Sequence, residues 1–199
     1  MARKPIPLDK LFFPALQNFM KAIKGQSPLA CTLIVGASLE NALMSLLHAY
    51  FIKSTVTESL FATRGALGSF ASCRDMAYCL GFISEETYKN LELIGRIRNR
   101  FAHATSDIDF ADAEIINLCK QIQVPQIPDN IAKMVSLDPD YKKPTDPKDI
   151  FTSASFTIHF DIILKASALE RQPKQAGLFV YDLMKAATEG RIKIQEKTY

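Results

Sequence analysis

The chain has 199 residues, 48% of them hydrophobic and 23% charged. That length buries a core without help from disulfides or metals, and that composition excludes wholesale disorder. A formal charge of +3 excludes a surface that grips nucleic acid everywhere, while leaving room for a local basic patch.

Met1 to Pro7 is basic and proline-punctuated, with no apolar signal core behind it, so cytoplasm is the expected location. A first helix is predicted over Asp9–Lys24, capped by Asp9 and stopped by Gly25. The second runs from Pro28 to about Lys53, with Leu29, Leu33, Gly36, Ala37, Leu43, Leu47 and Phe51 at helical steps. It is apolar enough to need a membrane check. Glu40, Asn41 and His48 interrupt it, which points to a central helix buried in protein and to no membrane. Glu40 is expected to be buried, and a buried carboxylate calls for an arginine or backbone partner.

A short helix over Thr55–Thr63 follows, then a turn at Arg64–Phe70 into a helix ending near Leu80, with Gly81 as its stop. Ser84 caps the next helix, with Glu85 and Glu86 at the positive end of its dipole; it extends to about His103. Asp107 or Asp109 is expected to cap a further helix ending near Ile122. From Val124 to Pro147, five prolines mark a long loop or arm. Phe151–Arg171 returns to helical periodicity, with Phe156–Ile158 also compatible with a strand, and Ala176–Glu189 reads as a last helix. The expected organisation is a helical core over 1–123, a proline-rich arm over 124–149 and C-terminal helices over 150–199 that pack on the core. The fold class is all-α, a compact bundle of about seven helices.

Arg96-Ile-Arg98-Asn99-Arg100-Phe-Ala-His103 crowds charge and hydrogen-bonding capacity onto one helix end. As a ribonuclease site, Arg98 would hold the scissile phosphate, His103 would move protons and Asn99 would orient them. As a structural element, Arg98 would pair with Glu40, and His103 would sit at the negative end of the helix dipole. Arg64 and Arg74 are candidates to extend a basic nucleic-acid or partner-binding groove with Arg96 and Arg100. The alternative for all of them is a solvated helix face.

Four cysteines without a CxxC pair read as reduced thiols. His48 and His159 read as core or interface residues. No metal or other cofactor is expected from three dispersed histidines and a Gly65-x-x-Gly68 turn that lacks the lysine of a P-loop. Ala77-x-x-x-Gly81 followed by a helix echoes a helix-turn-helix. Glu85 and Glu86 at the would-be groove-entering end argue by their charge against direct DNA reading.

Two family resemblances rest on these residues. Arg98-Asn99-x-x-x-His103 resembles the Arg-x4–6-His signature of HEPN domains, all-α and often dimeric. Active members of that superfamily are metal-independent ribonucleases that pair the arginine and histidine across the dimer; others are binding or regulatory modules. More of the chain resembles the mannitol operon repressor family: Ala37–Leu47, Phe61-x3-Gly65-x-Leu67-Gly68, Arg74, Tyr78-x-Leu80-Gly81-x-Ile83, Tyr88 and the Arg98–His103 segment, spanning roughly 28–120. The resemblance implies an all-α regulator of transcription and, with the apolar richness of the helices, a homodimer; the acidic start at Glu85 and Glu86 makes a protein partner the more economical route to regulation, and RNA is the partner implied by the ribonuclease alternative.

Overall fold

The computed structural model describes residues 8–124 and 144–170, and among them the chain forms seven helices and no strand. These are α1 (Leu8–Ile23), α2 (Pro28–Tyr50), α3 (Thr55–Phe61), α4 (Phe70–Cys79), α5 (Glu85–Ala102), α6 (Ala113–Gln121) and α7 (Pro147–Glu170). The fold is all-α. The expected helix over 176–189 and most of the proline-rich arm, residues 125–143, lie outside the described residues.

Among the described residues, helices α2 and α7 form the centre and make the most extensive contact. Both carry apolar residues around most of their circumference, the pattern of a helix enclosed by others rather than one lying on a surface. In α7, Phe151, Ala154, Ser155, Phe156, Ile158 and Ile162 are all buried. By length and composition α2 would cross a membrane. Here it packs against α1, α4, α5 and α7, with Val35, Leu39, Leu43, Leu46 and Leu47 buried among them. Aromatic contacts tie the outer elements to this centre. Phe19 of α1 meets Phe156 at 5.4 Å, and Phe110 bridges Phe101 of α5 and Phe151 of α7 at 5.2 and 5.5 Å.

The helix ends follow local chemistry. Ser27, Ser54, Ser69 and Ser84 each accept a backbone N–H from the first turn of α2, α3, α4 and α5. Helix α2 stops at Tyr50, short of the predicted Lys53, because residues 52–54 serve α3: Thr57 Oγ1 donates to the Ile52 carbonyl at 2.6 Å. The cap of α6 is neither Asp107 nor Asp109. Asp112 occupies that position, and its carboxylate accepts the Asp109 N–H at 2.7 Å while Asp109 accepts from Ala111 at 2.7 Å. This local turn delays the helix. Helix α7 begins at Pro147 rather than Phe151. Asp146 accepts the Lys148 and Asp149 N–H groups at 2.9 and 3.3 Å, ahead of a proline in the first turn that has no N–H to satisfy. The Phe156–Ile158 segment is helical, not a strand.

Two turns fix the angles between helices. Gly65-Ala-Leu67-Gly68 folds back on the end of α3, with the Leu67 N–H donating to Leu60 O at 2.8 Å. A Cβ at Gly65 would stand 2.3 Å from the Ser59 and Leu60 carbonyl oxygens, and one at Gly68 would stand 2.3 Å from that of Ala62. After α4, Gly81 adopts φ +73°, and Phe82 N–H reaches the Ala77 carbonyl at 2.9 Å. That is a left-handed helix stop of the kind glycine favours, and it sends Ile83 into the core.

Candidate functional site

The charged cluster lies on α5 where that helix crosses α2. Leu91, Ile94, Ile97 and Phe101 form the buried stripe of α5. Arg98 sits beside that stripe, and its stem lies across Gly36 of α2. A Cβ at Gly36 would come within 3.1 Å of Arg98 Cγ and 3.4 Å of Nε. The absent side chain is therefore the space that the arginine occupies. Arg98 Nη1 donates to Asn99 Oδ1 at 3.1 Å. Its Nη2 stands 4.0 Å from Glu40 Oε2, at the edge of ion-pair contact.

Glu40 is not the buried carboxylate that its apolar surroundings suggested: 30% of its side chain is exposed, against 36% for Arg98. It lies on α2 at the margin of the packed face, where water takes part of the solvation. Its charge also reaches α4, adding to the burial that pushes the Cys73 thiol up to about 11.

His103 is exposed and occupies the C-cap of α5, its backbone N–H donating to the Asn99 carbonyl at 3.0 Å. Its side chain has no hydrogen bond or ion pair to any described residue. Arg98 is thus hydrogen-bonded to Asn99, with Glu40 at the limit of ion-pair distance.

The other arginines do not converge on this point. Arg96 and Arg100 are each two positions from Arg98, about 200° around the helix. Arg100 donates through Nε to Glu114 of α6 at 2.6 Å. Arg96 lines a shallow groove of about 260 Å³ with Glu86, Lys89, Asn90, Glu92, Leu93, Gln121 and Gln123, a wall of mixed charge. Arg74 is bound to its neighbour Asp75 at 2.7 Å and packs over the Tyr88 ring at 4.6 Å, joining α4 to α5. Arg64 is exposed in the turn after α3. Arg74 and Arg100 are thus each paired with a carboxylate, while Arg96 and Arg64 are exposed.

The remaining histidines pack against aromatic rings. His48 stacks on Phe61 at 3.9 Å, and burial holds His159 below the usual imidazole range. Among the described residues no group of His, Cys, Asp and Glu is placed to hold a metal ion.

Two features went unread in the sequence. Asn90 is buried, donating through Nδ2 to the Gln123 carbonyl at 2.7 Å and accepting the Gln123 N–H at 2.9 Å. It clamps the end of α6 to α5. A groove of about 410 Å³ opens beside the end of α5, lined by Leu29, Phe101, Ala104, Thr105, Ser106, Asp107 and Ile108.

The glycine turns, the Gly36 cradle and the α4–α5 junction fall within one stretch of chain. The sequence profile of the family described as "Mannitol repressor" matches residues 29–166. The chain belongs to the mannitol repressor family. The match runs from the start of α2 into α7, and so covers the central helix pair and the Arg98 cluster. No curated protein sequence matches the chain. A solved structure described as "X-ray structure of the MtlR-HPr complex from Escherichia coli" contains a similar chain. Identity is 15%, the alignment covers 79% of this chain and 99% of that one, and the TM-score is 0.49.

Proposed function

We propose that this mannitol repressor family member is a cytoplasmic regulatory module that acts by binding another protein, without reading DNA itself. The observation that carries the reading is the family match over residues 29–166. The charge distribution supports the mode of action. Helix α5, which follows the Ala77-x-x-x-Gly81 turn as a recognition helix would, opens with exposed Glu85 and Glu86, which repel a phosphate backbone. Arg74 and Arg100 are taken up by carboxylates. The similar chain of known structure is one described in complex with HPr; a protein is the class of partner proposed here. Self-association into a homodimer belongs to the same reading.

Transcript profiling of a gene deletion, complemented with wild type or with Glu85→Lys/Glu86→Lys, tests it. The expected result is a defined operon whose transcription changes on deletion and is restored equally by both forms. A deletion without transcriptional effect refutes regulation. Failure of the folded double variant alone would place the α5 N-terminus in the working surface.

A further inference from the structure

Resting on the protein-binding reading, we infer that the partner docks where α2 meets the C-terminal half of α5, and that it presents a carboxylate to Arg98 from among apolar side chains. Three observations meet there. The first is an apolar strip on α2. Leu29 and Leu33 are 44% and 40% exposed, at the start of a solvent face of α2 that continues through Ala37 to Asn41 and Ser45. Relative to Gly36 they lie about 20° and 60° around the axis, with exposed Ala37 at about 100°. All lie to one side of the place where Arg98 crosses, and Glu40, at about 40°, falls between the two leucines. Leu29 also lines the 410 Å³ groove with Phe101 and Ile108, so the strip continues onto α5 and the loop after it.

The second observation is the preparation of Arg98. Its stem is fixed against α2 at Gly36, so little rotamer freedom remains to be lost when a partner arrives. The third is its unused hydrogen-bonding capacity. A guanidinium has five N–H donors in a planar fork that matches a carboxylate. Asn99 takes one at 3.1 Å, and Glu40 at 4.0 Å lies beyond hydrogen-bond reach. A partly exposed pair at that distance contributes little, so a partner carboxylate at hydrogen-bond distance outcompetes it. An arginine set among exposed aliphatic side chains has the composition of an interface centre. Nucleic acid is the poorer occupant, because Leu29 and Leu33 offer nothing to a phosphate backbone.

The test is photo-crosslinking in living cells with the full chain, using p-benzoylphenylalanine in place of Leu33, or in place of Val56 as a control. Val56 is 68% exposed and lies beyond the far end of α2. The expected result is a protein adduct from position 33 and none from position 56. Its yield should fall roughly ten-fold or more in Arg98→Glu and in Arg98→Gln, both checked for native circular dichroism. Peptide mapping should place the adduct beside an Asp or Glu of the partner; changing that residue to Lys should abolish the adduct, and adding Arg98→Glu should restore it. An adduct indifferent to both Arg98 variants overturns the carboxylate anchor. Adducts from position 56 alone overturn the surface and leave protein binding standing. A nuclease-sensitive adduct, or one formed only between copies of this chain, overturns the partner class. No adduct from either position overturns this inference together with the protein-binding reading.

Discussion

Replacing Asn90 with leucine removes the clamp between α5 and the end of α6 while keeping the side-chain volume nearly constant. Both polar ends of Asn90 are spent on the Gln123 backbone, at 2.7 and 2.9 Å, in a side chain that is 1% exposed. Each bond contributes about 1 kcal/mol net, and the partly buried Gln123 N–H and carbonyl left behind add about 1 kcal/mol or more of uncompensated desolvation. Asn90→Leu should therefore cost about 2–4 kcal/mol. For a chain of this size that lowers the thermal midpoint by about 5–15 °C. Thermal and urea unfolding followed by circular dichroism measure it, with an unchanged urea slope showing that stability alone has moved. The exposed Asn117 on α6 serves as control; Asn117→Leu should stay within about 0.5 kcal/mol of wild type. A midpoint for Asn90→Leu within about 2 °C of wild type refutes the reasoning.

Three further outcomes follow from the same geometry. Gly65→Ala should destabilise more than Gly81→Ala in urea unfolding. The first drives a Cβ to 2.3 Å from two carbonyl oxygens; the second meets open space and costs about 1–2 kcal/mol of left-handed backbone strain; the reverse order contradicts the turn geometry. Because burial lowers the His159 pKa, the unfolded chain takes up a proton at about pH 6.5 that the folded chain resists. Stability should thus fall as pH drops from 7 to 5, and His159→Gln should flatten that slope; an unchanged slope refutes the assignment. A thiol reagent at neutral pH should modify Cys79 alone in the native chain and all four cysteines in denaturant, since Cys31, Cys73 and Cys119 are buried with raised pKa values; rapid native labelling of a second thiol contradicts the packing.

What the sequence made legible was local. Ser84 ahead of two glutamates, Gly81 after Leu80 and the apolar spacing of α2 and α5 each act within a turn or two of helix, so their elements were readable with end errors of a few residues. The start of α7 was missed because a proline-rich stretch hides Asp146-Pro147, a cap and first-turn pair that reads correctly once seen. The cap of α6 was missed because Asp107, Asp109 and Asp112 are chemically equivalent, and only the backbone path decides which one stands at the start of the helix. The site was less legible still. Glu40 lies in an apolar run, yet its exposure depends on where α4 and α5 end against α2. Arg100 and Arg74 looked available until Glu114, fourteen residues on, and the Tyr88 ring came into place. Asn90 gave no signal, because its partner is main chain thirty-three residues away.

The central claim is that this chain regulates without reading nucleic acid. The most direct measurement is fluorescence anisotropy of the purified, folded protein with the promoter DNA of the operon that responds to its deletion, and with the corresponding RNA, in EDTA at moderate salt. The account predicts no sequence-dependent binding of either and no RNA cleavage by the chain alone. Specific promoter binding, or cleavage abolished by both Arg98→Ala and His103→Ala, would contradict it.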